Sequence, residues 1–302
     1  PDPPRCFLTL ASRDRTAGRF LTLASRDRNA VRRPRRIRAS LVGEARPRRG
    51  EATRRKLSPP HSKARLELPA WLELREVYEK ILLFDDENVD VMFTMGNIYN
   101  DLGMYKKAEN IFIDAINCTN PTMRMYYQLA MTYGNQGKFM STILALQEAL
   151  KLSPEDTEIK YQMAVAYMEL LNYNKAAEYF EEYVIQSPSD EIVFFLLGKC
   201  YFKDGDYPAA LLALLRADNL LPNDSRILYY LGRSYAGLGE YSDAALTFRK
   251  ALKVEPEDPE IYFALGKSYY HLNKNKKVNE TLDILNMLDR TLYEQLYSEV
   301  GK

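Results

Sequence analysis

The chain has 302 residues, with 42 Lys and Arg against 41 Asp and Glu, three Cys and two His. One His stands in the N-terminal part (His61) and the other near the C-terminus (His271), so no His-based metal site and no Ser-His-Asp arrangement can be built within the body of the chain. No apolar run is long enough to span a bilayer as a helix. Cys6, Cys118 and Cys200 are far apart and read as reduced thiols, Cys200 as a small core residue, and the expected location is cytoplasmic.

The balanced total charge hides two parts of opposite sign. Residues 1–69 hold 19 Lys and Arg, 17 of them Arg, against 6 Asp and Glu and no Tyr, which leaves 23 basic and 35 acidic residues for the rest. FLTLASRDR occurs twice, at Phe7–Arg15 and Phe20–Arg28, and the first residue is Pro. One reading is a disordered or aberrant extension: a fragment, an alternative start or translated non-coding sequence. Another is a basic arm for nucleic acid or an anionic surface, centred on Arg32–Arg38 (RRPRRIR), the only segment through which nucleic acid is an expected partner. A third is an organellar presequence, against which Asp14 and Asp27 count. No fold is expected here.

Next comes LPAWLELREVYEKILLFDDENVD, Leu68–Asp90. Residues 70–88 predict an orphan helix with Leu74, Tyr78 and Ile81 on its apolar positions and Pro69 suited to a first turn. Nothing before it matches a partner helix. Trp71, Leu74, Val77 and Tyr78 would then present apolar surface to water, and a homodimer or a larger assembly could form through them.

From Val89 the chain repeats itself every 34 residues. A small residue recurs as Gly96, Ala130, Ala164, Gly198, Gly232 and Gly266, and a Tyr three places later as Tyr99, Tyr133, Tyr167, Tyr201, Tyr235 and Tyr269. A second ring follows at Tyr105, Phe139, Tyr173, Tyr207 and Tyr241, then a small residue at Ala108, Thr142, Ala176, Ala210 and Ala244. A large apolar one comes next at Phe112, Leu146, Phe180, Leu214, Phe248 and Leu282, and Pro closes units at Pro154, Pro188, Pro222 and Pro256. The units are 89–122, 123–156, 157–190, 191–224, 225–258 and 259–290.

Within a unit, apolar residues recur twice at helical spacing, as in Ile227, Leu228, Leu231, Tyr235 and then Ala244, Ala245, Phe248, Ala251, Leu252. Gly103, Gly137, Gly205 and Gly239 fall between the two runs, where a chain leaving a helix takes positive φ at little cost. Each unit is therefore two antiparallel helices. The small residues let their backbones approach, and the Asp after each closing Pro offers a cap to the following helix.

These landmarks resemble the tetratricopeptide repeat family. The resemblance covers Val89 to about Asp289 and implies an all-α, right-handed α-solenoid of tandem helix-turn-helix units. Departures are local: Lys160 stands where the family places a large apolar residue, Tyr183 replaces a small one, and the last unit has Asn273 for Gly and Val278 and Leu285 for Ala. Leu288, Leu292, Leu296 and Val300 predict a C-terminal capping helix whose end is residues 291–302.

The resemblance also implies that first helices line a concave groove through the second, fifth, ninth, twelfth and thirteenth places of each unit. The groove candidates are then Asp90, Asn97, Asn100 and Asp101; Arg124, Met131 and Asn135; Glu158, Val165, Met168 and Glu169; Lys199, Phe202 and Lys203; Arg226 and Arg233; and Lys267, Tyr270 and His271. Fifth-place rings (Phe93, Tyr127, Tyr161, Phe195, Tyr229, Phe263) are expected to be structural. Basic residues mixed with Met168, Phe202 and Tyr270 suit a peptide or partner helix with acidic and apolar side chains; the alternative is ordinary solvated charge. Glu181 and Glu182 are expected on a solvated face.

Family members that hold a chaperone's C-terminal carboxylate use a five-residue clamp. Aligned on Asn97, this chain supplies Phe93, Asn97, Gln128, Glu158 and Gln162, so one position matches and no carboxylate-clamp tail is expected to bind. The expected function is a non-catalytic protein-interaction scaffold without cofactor or metal. The alternatives are a structural subunit packing through the orphan helix and a basic-arm protein.

Overall fold

The structure, a computed structural model, describes residues 68–85 and 88–301, with side chains from Arg75 onward. The expectations for residues 1–67, the basic run Arg32–Arg38 among them, and for the side chains of Trp71 and Leu74, lie outside the described residues. Among the described residues are fourteen α-helices and no strand. None of these helices is long and apolar enough to cross a membrane.

The chain separates into two compact units at Cys118 and Thr119. The first contains α1 (Leu68–Phe84), α2 (Val89–Asp101) and α3 (Tyr105–Cys118). The second contains five helical hairpins: α4 (Met123–Asn135) with α5 (Phe139–Leu152), α6 (Thr157–Glu169) with α7 (Tyr173–Gln186), α8 (Glu191–Asp204) with α9 (Tyr207–Leu220), α10 (Ser225–Gly237) with α11 (Tyr241–Val254), and α12 (Pro259–His271) with α13 (Asn275–Leu288). A last helix, α14 (Arg290–Val300), follows. The starts of α2, α4, α6, α8, α10 and α12 coincide with the first residues of the six repeats read from the sequence.

The repeat landmarks show why. Asp156, Asp190, Asp224 and Asp258 accept hydrogen bonds from backbone N–H groups in the first turn of the following helix, for example Asp156 Oδ1 from Ile159 N at 3.0 Å. Each cap satisfies donors that the helix itself leaves unpaired. Between the helices of a hairpin the chain turns through positive φ, at Gly137 (73°), Gly205 (89°) and Gly239 (81°). Leu171 (58°) and Asn273 (53°) take the same conformation without Gly.

Packing is close where the small residues sit. A β-carbon on Gly232 would come within 2.7 Å of the Phe248 ring, and one on Gly198 within 2.6 Å of Leu214. Leu146, Phe180, Leu214 and Phe248 are fully buried, as are Ala176, Ala210 and Ala244. Cys200 is a free thiol inside this core. Two departures from the repeat pattern have physical reasons. Lys160 is buried yet lies 2.9 Å from Glu182 and 3.5 Å from Glu155, and Tyr183 donates from its hydroxyl to Asp190 at 3.1 Å.

The expected capping stripe is broken at Asp289, which caps α14 and separates it from α13. Leu288 ends α13 with 38% of its surface exposed, whereas Leu296 is fully buried and Leu292 and Val300 pack on the same cluster. In the first unit, a β-carbon on Gly96 would meet the Phe112 ring at 2.5 Å, and the Tyr99 hydroxyl donates to Glu79 of α1 at 2.9 Å.

Candidate functional site

Side chains three and four places apart share one face of a helix. On α8, α10 and α12 that rule collects Phe195, Lys199 and Phe202; Tyr229 and Arg233; and Phe263 and Lys267. Tyr230 joins the first two helices, its ring 5.7 Å from Phe195 and 5.5 Å from Phe202 in edge-on contact. The cations lie on these rings: Lys199 6.0 Å from the centre of Tyr230, Arg226 5.7 Å from Phe195, and Arg233 4.6 Å from Phe202 and 5.4 Å from Tyr229.

A cleft of about 350 Å3 opens on this wall, lined by Phe202, Tyr207, Tyr229, Arg233, Lys267 and His271 among others. Its cause is compositional. The twelfth and thirteenth places carry Phe202 and Lys203 on α8 and Tyr270 and His271 on α12, but only Ala236 and Gly237 on α10, so the wall there lacks side chains. Gly237 is required: a β-carbon on it would sit 2.7 Å from the Tyr207 ring. At the far side, Tyr241 and His271 stack with their rings 4.2 Å apart.

The charges are unequally engaged. Arg226 is held by Asp224 through bonds of 2.6 and 3.1 Å, and this partner lowers the Asp224 carboxyl below the usual range. Lys267 pairs with Glu299 of α14 at 2.9 Å. Arg233, half-buried, makes one long hydrogen bond, donating to the Tyr229 hydroxyl at 3.5 Å, and among the described residues has no carboxylate at ion-pair distance.

Of the groove residues expected from the sequence, Phe202, Arg233, Lys267 and His271 come together in the cleft. Lys199 is half-buried and Lys203 exposed on the adjoining wall, and Tyr270 is 39% exposed beside His271. Met131 is buried, at 4% exposure, and cannot contact a ligand. Val165 and Met168 are partly buried against the core. Glu158 accepts from the Tyr127 hydroxyl at 3.0 Å and from Gln162 Nε2 at 2.9 Å, and Glu169 is exposed. Arg124 is exposed and Asn135 half-buried on α4, while Asn97 and Asp101 lie on α2 in the first unit.

The rings of Tyr229 and Phe263, expected to be structural, pack against the core and also line the cleft. Glu181 and Glu182 are exposed, as expected, and each also takes a partner: Glu181 accepts from the Tyr201 hydroxyl and Glu182 pairs with Lys160. The cleft itself, with Tyr207, Gly237, Tyr241 and Phe248, was not anticipated; its signal was the Ala236–Gly237 pair at places that carry larger side chains in neighbouring repeats.

No group of three His, Cys, Asp or Glu suited to a metal ion occurs among the described residues. The second unit is a stack of helical hairpins with aromatic and cationic side chains along α8, α10 and α12, the architecture of a repeat protein. The comparisons agree: tetratricopeptide-repeat models match residues 89–117, 127–191 and 232–273, and a model described as anaphase-promoting complex, cyclosome, subunit 3 matches residues 171–251. The chain is a tetratricopeptide repeat protein.

Among solved structures it is similar to the C-terminal part of a TPR repeat-containing protein from Cytophaga hutchinsonii, at 18% identity and TM-score 0.62, over 76% of this chain and 95% of that one. It is also similar to a MamA fragment from Desulfovibrio magneticus RS-1, at 23% identity and TM-score 0.53, over 56% of this chain and 96% of that one. Both show the fold. No curated protein matches the chain.

Proposed function

We propose that the inner wall formed by α8, α10 and α12 holds a segment of a partner protein, extended or helical, bearing acidic and apolar side chains. A protein-interaction scaffold is the general role of the family; the location and the ligand chemistry are our reading. The single observation that carries it is the run of rings from Phe195 to Phe263 with Lys199, Arg226, Arg233 and Lys267 laid on or beside them. Rings supply buried area at low entropic cost, and cations steer and select an acidic segment.

Selection of a random peptide library on the full chain tests this. The expected winners mix Asp or Glu with aromatic or aliphatic residues and lose binding to a K199E/K203E/R233E variant. Winners without acidic residues, or binding indifferent to the triple change, would refute the reading. A chaperone tail ending in EEVD is expected to give no tight, salt-sensitive titration by calorimetry, because Glu158 and Gln162 stand where a clamp needs cations.

A second reading has its own observation. On α1, Val77, Leu83 and Phe84 are 52%, 82% and 93% exposed, which suits a structural subunit or homodimer packing through that helix. Light scattering after size exclusion separates the two: a monomer supports groove binding alone, and a stable dimer lost in V77E/F84E supports packing through α1.

A further inference from the structure

Resting on the groove reading above, we infer that the cleft is a carboxylate subsite with one vacant cation and one cation occupied by the chain itself. Arg233 receives an acidic side chain of the partner, and Glu299 of α14 competes with the partner for Lys267.

Arg233 is prepared for this role. A guanidinium carries five N–H donors and, stacked between rings, keeps its edge free for two parallel bonds to a planar carboxylate. Here it is fixed by Phe202 at 4.6 Å and Tyr229 at 5.4 Å, with only the 3.5 Å bond to Tyr229 spent. It lines the cleft together with Phe263 and Tyr241, so a carboxylate held there lies in a cleft whose other walls take an aromatic or aliphatic neighbour.

Lys267 shows the same preference already satisfied. Its ammonium is 2.9 Å from Glu299 Oε2, and both side chains are partly exposed, at 44% and 37%. Glu299 stands in the last turn of α14, where the helix dipole opposes a negative charge, so the contact is weakly held and open to exchange. The carboxylates of Glu299 and of Glu260, which accepts from Tyr229 at 3.3 Å, also limit the charge an incoming group can carry. A singly charged carboxylate suits the cleft better than a dianionic phosphate.

The test uses the full chain and a fluorescein-labelled, end-blocked peptide of alternating Glu and Phe, followed by anisotropy. Glu-to-Gln and Glu-to-phosphoserine versions serve as comparisons. Expected are a roughly tenfold or larger loss of affinity in Arg233→Gln and a smaller loss in Arg233→Lys, with the Gln peptide not bound. Glu299→Gln is expected to bind about two- to fivefold more tightly, as an exposed ion pair allows. Circular dichroism and melting temperature establish that each variant is folded.

Unchanged affinity in a folded Arg233→Gln variant overturns the inference, as does equal or weaker binding in Glu299→Gln, or tighter binding of the phosphoserine peptide. So does failure of the Glu–Phe peptide to bind the wild type. The groove reading survives any of these results if library peptides are still lost in the triple variant.

Discussion

Lys160 Nζ lies 2.9 Å from Glu182 Oε2, bridging α6 to α7 at a position that other repeats fill with an apolar residue. The Lys160 side chain is buried along its stem, while Glu182 is half exposed. The arrangement therefore trades a partly desolvated charge against a partner that remains in water, and such pairs contribute little net stability.

Removing the partner should hurt more than removing the charge. Glu182→Gln is expected to cost about 1 kcal/mol, because it leaves the ammonium of a largely buried side chain with only the longer contact to Glu155. Lys160→Met should be neutral or stabilising by up to about 1 kcal/mol. The hydrogen bond to Glu182, the largest cause, raises the Lys160 pKa above the usual lysine value. Its contribution is thus present below that range and lost as pH climbs through the raised pKa. Denaturant melts of the two variants at neutral and alkaline pH check both statements.

Leu171 takes φ of 58° in the turn where three sister hairpins of the second unit use Gly. Its side chain is 70% exposed, so little packing is lost on removing it. Leu171→Gly should stabilise the protein by about 1 kcal/mol, the left-handed cost of a residue with a β-carbon. A lower melting temperature would contradict this.

Burial pushes the Cys200 thiol up to about 12. Since the thiolate is the reactive form, Cys200 should resist maleimide in the folded protein and label promptly in denaturant. Peptide mapping by mass spectrometry reads the site directly, and native labelling at Cys200 would show that α8 opens locally.

Asp224 caps α10 and holds Arg226. Asp224→Ala should cost about 1 kcal/mol through the lost cap. The Arg226 hydrogen bond, the largest cause, depresses the folded-state pKa of Asp224. The stability it brings is therefore present above the ordinary aspartate pKa and lost as pH falls through the lowered one. The gap between wild type and variant should narrow in acid, and a gap independent of pH would refute the assignment.

The repeat was legible because its period is enforced by packing: Gly232 is needed where Phe248 approaches and Asp258 where α12 starts, so each leaves a fixed mark in the sequence. The partners of individual charges were less legible. Tyr127 binds Glu158 and Tyr229 binds Glu260, each 31 residues apart, so a fifth-place Tyr reaches the second place of the next repeat. That signal was present but crosses repeats, whereas reading places one repeat at a time assigns Glu158 to the groove. Met131 fails for a related reason: its place predicts exposure in an ideal unit, and burial depends on what the neighbouring elements put against it.

Leu296 occupies the space over Gly266, 2.5 Å from where a β-carbon would be. Elsewhere the corresponding small residue meets a side chain of its own hairpin, as Gly232 meets Phe248. A further hairpin laid against α12 would first have to evict this leucine and the helix that carries it. Head-to-tail addition of a further hairpin is therefore blocked at that face for as long as α14 stays in place.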